Sequence, residues 1–159
     1  KFPEAVAAYE AYLAAKGEDV TYKEYDSFAD IYIEQADAAT SDAEKKEAFK
    51  KAADIYGLIA EKFDYAAIYA VSKQATAYYQ INPDLKVGAS LPYYTKLIEL
   101  INAKDEKTAS DNNKLVTAYN YLAVHYIQND KVAEAKKYAQ KLLELNPENE
   151  TGKQIMNLK

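Results

Sequence analysis

The sequence predicts an all-α fold of about seven antiparallel helices, and three observations carry that prediction. Apolar residues recur at helical spacing along nearly the whole chain, whereas alternation of period two is nowhere sustained. Four Gly and four Pro among 159 residues are too few for a sheet protein with many tight turns. The turn-forming residues that do occur stand between the apolar stripes, at Gly17, Thr40-Ser41, Asn82-Pro83, Asn129-Asp130 and Asn146-Pro147.

Taken in order, Phe2, Ala5, Val6, Tyr9, Tyr12 and Leu13 predict a first helix over 2–15 that stops before Gly17. The opening Lys1-Phe2-Pro3-Glu4-Ala5 reads as the second helix of a truncated repeat. The chain is therefore expected to be a fragment of a longer protein, with one face of this helix less covered than the later ones. Tyr25, Phe28, Ala29 and Tyr32 predict a helix over 20–39. Ser41 and Glu44, at the spacing of a capping box, start one over 42–63 whose stripe is Ala48, Phe49, Ala52, Ile55, Tyr56 and Ile59. A helix over 65–81 ends at Asn82-Pro83. Ser90 before Leu91-Pro92 starts one over 90–103, where proline suits a first turn that lacks backbone partners anyway. Leu115, Tyr119, Leu122 and Tyr126 mark 110–128, and a last helix over 131–145 closes at Asn146-Pro147. The polar stretch 148–159 is expected to form a partial capping segment.

The segment Ala118 to Asn149, AYNYLAVHYIQNDKVAEAKKYAQKLLELNPEN, resembles one complete tetratricopeptide repeat. An aromatic opening the first helix, a Leu with a small residue, a Tyr, a turn, an Ala in the second helix and a closing Pro fall on Tyr119, Leu122, Ala123, Tyr126, Asn129-Asp130, Ala135 and Pro147. Later in the second helix, Ala139 and Leu142 exchange bulk between two core positions relative to the family pattern. Tyr25, Phe28, Ala29 and Tyr32 repeat the first-helix signature, and Ala75 and Tyr78 repeat part of it. Second-helix alanines are expected at Ala5, Ala48, Ala89 and Ala135, at intervals longer than the family period of about 34. Small residues such as Ala123, Ala135 and Gly57 are expected to let helix backbones approach.

The resemblance implies a single domain over 1–159, a right-handed α-α superhelix of the tetratricopeptide type with helix pairs 20–63, 65–103 and 110–147. It further implies a non-enzymatic scaffold that binds a protein or peptide in a concave groove. Groove positions would be Lys23, Asp26, Asp30, Ile33 and Glu34, then Tyr69, Ser72, Thr76, Tyr79 and Gln80, then Thr117, Asn120, Val124, Ile127 and Gln128. Family members that clamp a C-terminal carboxylate place Lys, Asn and Arg together in the groove, and this chain, which has no Arg, does not. Many tyrosines on such helices are also similar to bacterial outer-membrane sugar-binding proteins of the SusD type, which would imply a glycan or small-ligand module.

Composition narrows the chemistry. No Cys is present, which removes disulfides, thiolate nucleophiles and Cys-based metal sites from this chain. All 20 basic residues are Lys, so nothing offers the planar fork that grips phosphate, and a net charge of −5 argues against nucleic acid as a partner. Residues 16–44 hold nine Asp or Glu against two Lys, a local −7 that favours a basic partner. Within it, Asp26, Asp30 and Glu34 form one column of like charge at successive i, i+4 steps, either a solvated face or a partner-binding edge. His125 is the only histidine and has no second His or Cys to share a metal or a nucleophile with, so a structural or surface role is expected. No catalytic, metal or cofactor-binding residues are expected, no cofactor is implied, and no apolar run approaches the length of a transmembrane segment.

Overall fold

The computed structural model describes residues 1–158; Lys159, the last residue of the expected capping segment, lies outside them. Among the described residues the chain is helical, with no strand: α1 (Phe2–Lys16), α2 (Tyr22–Ala38), α3 (Asp42–Lys62), α4 (Ala67–Ile81), α5 (Leu91–Asn102), α6 (Ala109–Gln128), α7 (Val132–Leu145) and α8 (Glu150–Met156). No described helix is long and apolar enough to cross a membrane. The chain divides into two units, Lys1–Ile81 and Asn82–Lys159, so the expected pair 65–103 straddles the division.

In the first unit α2, α3 and α4 pack in succession around Phe28, Ala29, Tyr32, Ala52, Tyr56, Ile59, Ala66 and Ala70. A capping box at Thr21 and a side-chain cap at Ser41 set the helix starts. The Thr21 N–H donates to the Glu24 carboxylate at 2.8 Å, and the Ser41 hydroxyl accepts from the Glu44 N–H at 3.3 Å. Helix α1 carries no buried residue. Its Val6, Tyr9 and Leu13 lie half-buried on the core, with Tyr9 stacked on Phe28 at 5.4 Å. The Tyr12 hydroxyl and the Lys16 ammonium both donate to Glu24, joining α1 to the start of α2. Lys16 foremost, then the Thr21 N–H and Tyr12, hold the Glu24 carboxyl down at about 2.

Gly57 does not bring two backbones together as the sequence suggests. A Cβ there would meet Gln74 Nε2 at 2.9 Å, because the Gln74 side chain crosses α3 at this point and donates to the Ala53 carbonyl at 3.2 Å. The missing side chain leaves room for an amide that ties α4 to α3.

In the second unit α6 packs between α5 and α7, and α8 covers α7. Ala123 and Ala135, both wholly buried, share a core with Ala139 and Ile155. Leu142 is equally buried. Thr108 and Asp111 form a capping box at the start of α6, reinforced by the Lys104 ammonium on the Asp111 carboxylate. Asp130 takes φ 59° at the α6–α7 turn, where the Lys131 N–H reaches back to the Tyr126 carbonyl at 2.9 Å.

Ala89 is not a second-helix alanine, for it lies in the turns that precede α5. That connection is built by side chains: Asn82 Oδ1 accepts from the Asp84 N–H at 3.0 Å, and Asp84 Oδ1 from the Lys86 N–H at 2.8 Å. Gly88 then turns at φ 71° against the His125 ring, and the His125 Nδ1–H donates to the Leu85 carbonyl at 2.6 Å. Asn129 adds a donor to the Lys86 carbonyl at 3.1 Å. His125 is thus a structural strut.

Candidate functional site

Helices α2 and α4 stand on either side of α3, and their open edges enclose a cavity of about 290 Å³. Asp30, Ile33 and Asp37 form one wall, Phe49 and Tyr56 the floor, and Lys73, Thr76, Ala77 and Gln80 the other wall. The periodicity explains the convergence. Asp30, Ile33 and Asp37 are at i, i+3, i+7 on α2, and Lys73, Thr76, Ala77 and Gln80 at i, i+3, i+4, i+7 on α4, so each set is one stripe of its helix.

Four of the expected groove residues, Asp30, Ile33, Thr76 and Gln80, therefore come together. Asp26 is engaged elsewhere: the Tyr69 hydroxyl donates to its two carboxylate oxygens at 2.7 and 2.9 Å. Lys23 and Glu34 are exposed on the flanks of α2, and Ser72 is half-buried, its carbonyl accepting from the Thr76 hydroxyl at 3.1 Å. Tyr79, 37% exposed, lies outside the cavity lining. In the second unit Thr117, Asn120, Val124, Ile127 and Gln128 share α6, with Ile127 packed on the alanine core. Two cavities of that unit are lined by other residues, among them Tyr119, Lys141 and Glu144 in one and Tyr126, Tyr138 and Lys137 in the other.

Sequence reasoning missed Asp37, Phe49, Tyr56, Lys73 and Ala77. Asp37 and Lys73 carry a signal, since each continues the stripe of an expected residue. Phe49 and Tyr56 read as core and are core, at 5% and 1% exposure. Only packing reveals that they also floor an opening.

Electrostatics single out Asp30. Burial, then the neighbouring Asp26, raise its carboxyl above the usual carboxylate range, against the pull of Lys73. The Lys73 ammonium lies over the Tyr69 ring at 5.6 Å and makes no ion pair among the described residues. Burial foremost, with Asp26 and Asp30 behind it, pushes the Tyr56 phenol well above the tyrosine range, so it keeps its proton.

At the α3–α4 turn, Phe63 and Tyr65 meet Tyr22 of α2 edge to face, with centroids 5.7–6.5 Å apart. Tyr65 is the most exposed aromatic of the three, at 76%. Other tyrosines are spent on packing, as where Tyr126 stacks on Tyr138 and Tyr94 tilts on Tyr121.

No family model matches the chain, and no curated protein matches it. Among solved structures, the C-terminal part of a TPR repeat-containing protein from Cytophaga hutchinsonii is similar at a TM-score of 0.71 and 22% identity, over 99% of this chain and 55% of that one. The chain thus spans about half the length of that neighbour. At such identity the likeness is one of fold, and the fold is a tetratricopeptide-like array of helices.

Proposed function

We propose that the chain is a non-enzymatic interaction module, and that the α2–α4 face of the first unit holds an extended, positively charged segment of a partner protein. One observation carries this reading: an open cavity with an apolar floor and a wall bearing two carboxylates, Asp30 and Asp37, that no cation of the chain neutralises by an ion pair among the described residues. The tetratricopeptide-like fold supports it, since stacked helix pairs present open helix faces on which partner segments lie. Charge supports it as well. The first unit holds 15 Asp or Glu against nine Lys, whereas the second holds ten against 11, so the attraction for a basic partner is concentrated where the cavity is. The glycan alternative is not favoured, because tyrosine rings such as Tyr126 and Tyr94 are stacked or tilted on one another and Tyr65 is held edge-on by Tyr22 and Phe63.

Site-specific photo-crosslinking tests the reading. A benzophenone amino acid at Thr76, in the cavity wall, is expected to capture a defined partner that the same group at Lys50, on the exposed stripe of α3, does not. Equal capture from both positions refutes the assignment of the face.

A further inference from the structure

Given that the α2–α4 face is the binding face, we infer that its cavity is an anchor pocket for one cationic side chain, Lys or Arg, of the partner segment, with its stem on Phe49, Tyr56 and Ala77 and its charged head between Asp30 and the Tyr56 hydroxyl. The size fits one side chain, because about 290 Å³ lies at the small end of the range of about 300–1,000 Å³ usual for ligand pockets.

The polar groups specify the head. Tyr56 is 1% exposed, yet its hydroxyl lines the cavity and makes no hydrogen bond among the described residues. No fully buried side-chain polar atom among the described residues lacks a partner, so this unbonded oxygen is one that the cavity leaves accessible. With the phenol held neutral, the oxygen lone pairs are free to accept from an ammonium or guanidinium. Asp30 supplies the charge, since Asp26, one turn earlier, is occupied by the Tyr69 hydroxyl. Lys73, the cation of the chain nearest to this role, is drawn to the Tyr69 ring.

The alternatives fit less well. An anionic side chain would meet Asp30 and Asp37, and an apolar one would leave Asp30 and the Tyr56 hydroxyl without partners. Asp37 stands two turns further along α2, about 10 Å at helical rise, too far to share the same head. It would meet the next basic residue of the segment.

Fluorescence anisotropy with labelled octalysine and octaarginine, against a labelled Gly-Ser octapeptide, tests the pocket at low ionic strength. The wild-type chain is expected to bind either cationic probe and not the neutral one. Asp30→Asn should weaken the preferred probe about tenfold or more, and Tyr56→Phe about threefold to tenfold, the loss of one charge-assisted and one weaker hydrogen bond. Asp19→Asn, an equal change of charge on the exposed turn before α2, should weaken it less than twofold. Thermal melting of each variant verifies that the fold is retained. Equal losses from Asp30→Asn and Asp19→Asn would show a diffuse field and overturn the pocket, as would unchanged binding by Tyr56→Phe or no binding of either cationic probe. Each of these results leaves the binding face itself to the Thr76 crosslink, which does not depend on the pocket.

Discussion

Two tyrosines one helix apart show how single residues divide between holding the fold and serving the site. Tyr69→Phe removes both hydrogen bonds to Asp26 and is expected to cost about 1–2 kcal/mol in urea unfolding. Tyr56→Phe removes a hydroxyl that makes no hydrogen bond among the described residues, and its stability should match wild type within about 0.5 kcal/mol. Asp30 behaves differently with pH. Its carboxyl is raised by burial and by Asp26 and Glu34, with Lys73 opposing, and the other titratable groups around it are Tyr56 on α3 and Tyr69 on α4. A raised acid is penalised when ionised, so the penalty is present at neutral pH and relieved as pH falls through the raised value. Asp30→Asn is therefore expected to be at least as stable as wild type at neutral pH, with the difference closing in acid; a variant clearly less stable at neutral pH contradicts this. The sequence made the structural role of His125 legible by elimination, because nothing in the chain could share its chemistry. It could not show that Tyr56 floors an opening, since helical periodicity tells which residues face inward and not where a hydroxyl ends.

Helix starts and close helix contacts decide stability at the next scale. The Lys104 ammonium and then the Thr108 N–H hold the Asp111 carboxyl at about 2. A lowered acid contributes stability that is complete above its unfolded value, about 4, and is lost as pH falls through about 2. Asp111→Asn should accordingly cost about 1–2 kcal/mol at neutral pH and nothing in strong acid, as read by urea titrations across that window. Ala135→Leu forces a larger side chain into the wholly buried α6–α7 contact and should cost about 1–3 kcal/mol by overpacking. Gly88→Ala combines a positive φ with a Cβ 2.6 Å from the His125 ring, and should cost roughly 2 kcal/mol or more. The helix spans were largely legible, because the apolar stripes and the Ser41 cap are local signals. Ala89 falls outside the helices because Asn82, Asp84 and Gly88 build a nine-residue connection ahead of α5, which a match of residue type to the repeat pattern does not reveal. The Thr21 and Thr108 boxes carry their Glu24 and Asp111 partners openly in the sequence, yet the apolar stripes alone had drawn the adjacent helix starts at residues 20 and 110.

Over the whole chain, the distribution of charge gives the interaction reading its physical direction. The −7 over residues 16–44 lies entirely in the first unit, beside the cavity, and exposed charges act over about 8–10 Å at physiological ionic strength. Added salt is therefore expected to slow association of a basic partner segment more than it speeds its release, measured by stopped-flow at two ionic strengths. The all-helical, tetratricopeptide-like architecture was legible because the motif at residues 118–149 is specific. The candidate site was half legible: repeat register placed Asp30, Ile33, Thr76 and Gln80 on facing helices, but α6 positions expected to extend the same groove belong to the other unit. The most direct test of the central claim is to map backbone amide shifts of the isotope-labelled chain on adding the partner segment captured through Thr76. The account predicts the largest shifts at Ile33, Thr76, Ala77 and Gln80, with the α3 stripe of Glu47, Lys50 and Asp54 unmoved. Shifts centred on that α3 stripe, or on Thr117, Asn120 and Val124 of α6, would contradict it.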